Sequence, residues 1–272
     1  MGDTIELPRY FERVGYAGAR EPTLEVLHAL TAAHTMSIPF ESADPVRGRA
    51  VDIAPQALYR KLVLARRGGY CFEQNGLFLE VLRRLGFRVR PLRAGVRLAR
   101  PDRHEPVGHT HLVLEVMVDG ETWITDVGVG STSLTRALRR VDGVEQATSH
   151  DVRRLVRADG RWFHQVRRDG DWVDVYEFGD VVMAMPDRVI ANWYTSTHPD
   201  SVFRRHLVAA RALPHGRRVS LDDRQLIVRG ADGRADKKTL RGARELLMAL
   251  HEHFGIELPP DTRFDLPPLG AA

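Results

Sequence analysis

Asp-Gly pairs at 119–120, 159–160 and 169–170 fall between runs rich in Val, Trp and Tyr. That dipeptide is the strongest short-range hairpin signal, because both central residues of a type I′ turn need positive φ. The middle of the chain is thereby committed to antiparallel strands, and the first turn also sets a register. With Asp119-Gly120 as the turn, Val118 opposes Glu121, Val113 opposes Asp126 and His111 opposes Gly128. Opposed residues share a sheet face, so His111 and Asp126 are diagonal neighbours, roughly 7 Å apart at the backbone and within side-chain reach. His109 shares the face but lies about 13 Å of strand from Asp126, which makes His111 the better partner.

Flanking regions carry a different period. Leu24, Leu27 and Leu30 form a helical stripe, Pro55 opens another helix, and Leu77, Phe78, Val81, Leu82 and Leu85 run at helical spacing until Gly86. Residues 1–86 therefore read as helical, 87–185 as strands, and 186–272 as mixed. In the last part, Gln225–Val228 and an Asp232-Gly233 turn precede a helix that points Leu246, Leu247 and Leu250 inward before Gly255. The tail prolines Pro259, Pro260, Pro267 and Pro268 indicate irregular chain. The class is α+β.

Cysteine occurs once, at Cys71, in the first turn of the helix that ends at Gly86. A lone thiol is either a buried small hydrophobe or a chemically used sulfur. Helix N-termini stabilise anions and raise the thiolate fraction, and Gly68-Gly69 lets the backbone turn tightly and leave the sulfur uncovered. A sulfur nucleophile needs a base, and the base needs an orienting group. His111 and Asp126 supply both.

The segments Arg67-Gly68-Gly69-Tyr70-Cys71-Phe72-Glu73-Gln74-Asn75, Thr110-His111 and Asp126-Val127-Gly128-Val129-Gly130 resemble the arylamine N-acetyltransferases. The likeness extends upstream to Ile38-Pro39-Phe40-Glu41 and downstream to Trp193–Pro199. It implies a helical bundle (1–86) carrying the nucleophile, a β-barrel (87–185) carrying His and Asp, and a linker helix with an α/β lid (186–272). The Cys-His-Asp triad would lie at the domain interface. It further implies acetyl transfer from acetyl-CoA to an arylamine or hydrazine through a Cys71 thioester, with His111 as proton partner and Asp126 orienting it. Thr110, Gly128, Val129, Gly130 and Phe203 would contact CoA, and Phe40 and Val129 the acceptor. Two positions depart from the family pattern: Val129 stands where Phe is usual, which predicts a wider, less aromatic acceptor site, and Ser42 stands where Asn is usual.

Two other enzyme readings use the same groups. Papain-type proteases place their His about 130 or more residues after the Cys, whereas His111 follows Cys71 by 40. An amide synthase of the same superfamily, closing a macrolactam from a carrier-bound chain, would suit a pocket widened at Val129. A non-catalytic binding protein is the third reading.

The net charge of +4 comes from 40 basic residues interleaved with 36 acidic ones, and only Lys61, Lys237 and Lys238 are lysine. No nucleic-acid motif accompanies this arginine bias, so it argues against nucleic acid as partner, though a mild positive field would attract the phosphates of CoA. His251-Glu252-His253 points apart on a helix, and no metal site is expected. The sequence lacks an apolar stretch of membrane-spanning length, Met1-Gly2 reads as chance rather than a myristoylation signal, and a single cysteine without an export signal suggests the cytoplasm.

Overall fold

A computed structural model describes residues 5–266, so Met1-Gly2 and Pro267-Pro268 lie outside the described residues. All three Asp-Gly turns form with both residues left-handed: φ is 51° and 78° at 119–120, 50° and 74° at 159–160, and 51° and 93° at 169–170. They help build an eight-stranded antiparallel sheet in the order Leu138–Arg139, Glu121–Thr125, His111–Val118, Arg88–Val96, Asp171–Val182, Arg161–Arg168, Val152–Ala158 and Gln146–Ala147. The sheet curls until its ends nearly meet. Gly143 donates to the Leu155 carbonyl at 2.8 Å, and Gln146 exchanges hydrogen bonds with the Arg139 backbone at 2.7 and 2.9 Å. Leu92, Val113, Ile124, Leu155, Val166 and Val175 are buried together in this nearly closed barrel.

The first hairpin keeps its expected register from Val118–Glu121 to Leu114–Thr125. There the ladder stops, and His111 pairs with Ala94 on the opposite side instead of with Gly128. The cause is a competing set of partners. Val127 donates to Asn75 Oδ1 at 3.0 Å, and the Asp126 carbonyl accepts from Leu134 at 2.8 Å, which draws the chain off the strand.

Helix Leu24–Ser37 buries Leu27 and Leu30 completely, and helix Cys71–Arg84 buries Leu77, Phe78, Val81 and Leu82 against them before Gly86 turns left-handed at φ 86°. A short helix at Leu7–Val14 precedes both. Its eight residues give too short a periodic stretch to stand out in the sequence. Pro55–Leu58 opens a helix as expected and continues as a π-turn segment, Tyr59–Leu64.

A second antiparallel sheet runs in the order Phe40–Glu41, Val208–Ala212, Arg218–Asp222, Gln225–Arg229 and Ala235–Thr239, its last four strands lying downstream of helix Met185–Thr197. Helix Ala243–Phe254 covers it with Leu246 and Leu250 buried and ends on left-handed Gly255. Two features depart from expectation. Phe40–Glu41, read as part of the helical region, is an edge strand of this C-terminal sheet, paired as Phe40–Ala210 and Glu41–Ala209. The sharp two-residue turn falls at Asp223-Arg224, with Asp223 at φ 49°, whereas Asp232-Gly233 sits in a longer loop closed by Gly230 donating to Arg234. No helix among the described residues is long and apolar enough to cross a membrane.

Candidate active site

Cys71 is the first residue of its helix, after an extended Tyr70 whose N–H donates to Glu73 Oε2 at 3.1 Å, one half of a capping box. The sulfur is not uncovered; Cys71 is 4% exposed. Nor do Gly68 and Gly69 serve a left-handed turn, which is supplied by Arg66 at φ 52°. They permit close approach. A Cβ on Gly68 would stand 2.2 Å from the Pro39 carbonyl oxygen, and one on Gly69 2.6 Å from Glu73 Oε2. Gly69 exchanges backbone hydrogen bonds with Pro39 and Glu41 at 3.3 and 3.1 Å, so the cysteine loop lies directly against the edge strand. Gly68→Ala is expected to destabilise the fold by about 3 kcal/mol, the upper range for overpacking a core. A change below roughly 0.5 kcal/mol in denaturant unfolding would show that the loop relaxes freely.

Beneath this loop sits a buried charge cluster that the sequence reading did not identify. Lys61 bridges Asp44 and Glu73 at 2.7 Å each, and Arg67 reaches Glu41 at 2.6 Å and Asp44 at 3.4 Å. Burial pushes the Glu73 carboxyl up, against the pull of Lys61, to about 7. The five residues are scattered over positions 41–73, and no local pattern announces that they meet.

His111 and Asp126 come together, although the ladder between their strands ends at Leu114–Thr125. His111 Nε2 lies 2.6 Å from Asp126 Oδ2, both side chains buried. Asp126 Oδ1 accepts from Asn75 Nδ2 at 2.7 Å and from the Gly128 N–H at 2.9 Å. Asn75 stands one helical turn after Cys71 and therefore on the same face. One helix thus places the sulfur and also fixes the carboxylate. The Cys71 thiol donates to the Thr110 carbonyl at 3.6 Å and also lies within hydrogen-bonding range of the His111 ring. Burial alone would push the His111 imidazole down, but the Asp126 carboxylate and the Cys71 sulfur outweigh it and raise it to about 10. His109 is exposed.

The other expected contact residues divide between two walls. Gly128 is pressed onto the helix start, where a Cβ would stand 2.9 Å from Cys71 Cα. Val129 is buried in the same apolar cluster of barrel residues as Val113 and Leu134. Gly130 is left-handed at φ 64° beneath the Phe40 ring. Phe40 and Phe203 meet edge-to-face at 5.7 Å, and Phe203 packs on Tyr70 at 5.5 Å, in the same apolar cluster as Cys71. Tyr70 in turn donates its hydroxyl to Asn192 Oδ1, and Asn192 Nδ2 donates to the Val51 carbonyl at 2.9 Å. Neither Asn75 nor Asn192 was selected from sequence. Asn75 was visible only as the end of the cysteine motif, and Asn192 carried no signal. Ser42 donates to the His206 carbonyl at 3.0 Å and accepts from Val208 N–H at 2.9 Å, which fastens the edge strand to its neighbour. Away from this site, His206, Asp222 and Asp223 bring ligand-type atoms within 4.8 Å of one another, but both Asp223 oxygens already accept from His206 and Leu207.

Comparison with known proteins agrees with the geometry. A family model described as N-acetyltransferase matches residues 23–263. The chain is 42% identical over 258 residues to the arylamine N-acetyltransferase of Mycobacterium bovis, covering 93% of this chain and 90% of that protein. The Escherichia coli arylamine N-acetyltransferase is 36% identical over 250 residues, covering 92% and 88%. The solved structure of the Mycobacterium marinum arylamine N-acetyltransferase in complex with CoA superposes with a TM-score of 0.88 at 38% identity, covering 92% of this chain and 93% of that one. With a cysteine at a helix start, a buried His–Asp pair beside it and this degree of likeness along nearly the whole sequence, the chain belongs to the arylamine N-acetyltransferase family of acyltransferases.

Proposed function

We propose that this enzyme transfers the acetyl group of acetyl-CoA to arylamines or hydrazines by a ping-pong mechanism through a Cys71 thioester. The observation that carries the reading is the buried His111–Asp126 pair at 2.6 Å, with the Cys71 sulfur against the same ring. His111, held protonated, faces the sulfur as its counter-charge. The sulfur attacks the acetyl-CoA carbonyl, the C–S bond to CoA breaks, and CoA leaves as the thiol with the proton from His111. The acceptor amine then attacks the acetyl-enzyme, His111 takes the amine proton, and Cys71 is released. Asp126 holds the imidazole with Nε2 toward itself, which leaves Nδ1 for the sulfur. Backbone N–H groups at the helix start are the candidate oxyanion donors.

Contacts with CoA are assigned to Thr110, Gly128, Val129, Gly130 and Phe203, and acceptor contacts to Phe40 and Val129. Support comes from Thr110, Gly128, Phe40 and Phe203 lying with Cys71, from Gly130 lying against Phe40, and from the CoA-bound relative. The three-part division at 86 and 185, a cytoplasmic location and an arylamine acceptor belong to the same reading. The amide synthase alternative gains nothing from the relatives, which are named as arylamine N-acetyltransferases. Intact mass after incubation with acetyl-CoA alone tests the thioester: a single acetyl adduct on Cys71, discharged by an arylamine, is expected, and acetylated product without any enzyme adduct would refute it.

Val129 carries the specificity claim. Val129→Phe is expected to raise the kcat/KM ratio for aniline over a bulky arylamine by about five- to thirtyfold, a scale set by one to two kcal/mol of pocket packing. An unchanged ratio removes Val129 from the acceptor site.

A further inference from the structure

Some arginines of this chain pair with a carboxylate, as Arg67, Arg90, Arg97 and Arg153 do. Others do not, and four of these converge. Arg47, Arg49, Arg204 and Arg263 line one cavity of about 420 Å³ beside the edge strand, and none of them forms an ion pair among the described residues. The lining holds one carboxylate, Asp265, against four guanidinium groups, and outside it Asp44 feels the Arg49 charge. Arg47 Nη1 is buried without any acceptor, which is costly for a charged donor unless a ligand supplies one. Arg204 is fixed in place, donating Nη1 to the Pro45 carbonyl. Its Nη1, Nη2 and Cζ lie 3.6–4.0 Å from where a Cβ on Gly48 would stand, so the loop backbone runs in contact with it.

Like charges gathered in a concave site raise the local potential and favour an anion. The guanidinium fork matches phosphate oxygens bidentately, and the volume suits a small organic phosphate rather than a bare halide. The position is also separate from the sulfur. In the short segment Val202–Arg205, Phe203 turns toward Phe40 and Tyr70 while Arg204 turns toward Pro45.

We propose that this arginine-lined cavity is a second binding site, taking a phosphate-bearing anion, distinct from the Cys71 site. Binding of inorganic phosphate and of adenosine 3′,5′-bisphosphate to the full chain would be measured by calorimetry at low and moderate salt, alongside thermal melting. Native protein is expected to bind at least one of them in a salt-dependent manner with a raised melting temperature. The exposed-rim double variant R49Q/R263Q, and separately R47Q, should weaken that binding by about tenfold or more, as loss of charge-assisted bidentate contacts does. Binding of phosphate alone identifies the free ion as the source; binding of the bisphosphate only identifies a phosphorylated organic ligand. No binding by native protein overturns the proposal. So does native-like affinity in both arginine variants, or bisphosphate binding displaced competitively by acetyl-CoA, because the ligand then occupies the thioester cleft. The measurement needs no catalysis, so it stands or falls independently of the acetyl-transfer mechanism.

Discussion

Cys71→Ala is expected to take up no acetyl group from acetyl-CoA and to lose turnover by about six orders of magnitude, the scale seen when a catalytic nucleophile is deleted. The variant should keep its fold, because the side chain removed is small and its hydrogen bond to the Thr110 carbonyl is a long 3.6 Å. Circular dichroism and melting temperature separate loss of chemistry from loss of structure. Residual activity within tenfold of native would show that the acetyl group never resides on this sulfur.

Asp126→Asn is the second large effect. An amide at that position keeps an oxygen for Asn75 Nδ2 and Gly128 N–H but turns its N–H₂ toward His111 Nε2. The ring then carries its proton on Nδ1, the side facing the sulfur, and cannot accept one there. A loss in kcat of about 10³- to 10⁴-fold is expected, as for other triads with the wrong tautomer. The titration changes as well. Without the carboxylate, burial is opposed only by the Cys71 sulfur, and His111 should titrate below about 10. A raised folded-state value contributes stability that is fully present below about 6.5, the unfolded histidine value, and is lost as pH rises through the folded value. Native protein should therefore lose stability between about pH 6.5 and 10 through this group, and Asp126→Asn should lack that component. Histidine ¹⁵N shifts report the ring state directly, and an imidazolium persisting at neutral pH in Asp126→Asn would contradict the assignment.

The sequence carried the hairpin and its register because Asp-Gly turns and a period of two are local signals. That was enough to bring His111 and Asp126 together, even though the ladder ends at Thr125. The cysteine helix was legible for the same reason, through its apolar spacing and Gly86. What escaped depends on distant partners. Asn75 was on the right face, yet nothing local says that its amide would hold Asp126 and Val127. The glycines before Cys71 were visible, but their use is steric closeness to Pro39 and Glu73, which only the packed chain defines. Phe40–Glu41 is two residues long, too short for periodicity, and its partner strand lies some 170 positions away.

That small strand has a mechanical meaning. On one side it is bonded to Val208–Ala212, and on the other to Gly69, two residues before the sulfur. Any rocking of the C-terminal sheet is thereby transmitted to the nucleophile rather than absorbed by a slack hinge. Entry of large substrates must be accommodated by side chains and loop tips, since opening the molecule at that seam would drag its reactive atom out of alignment.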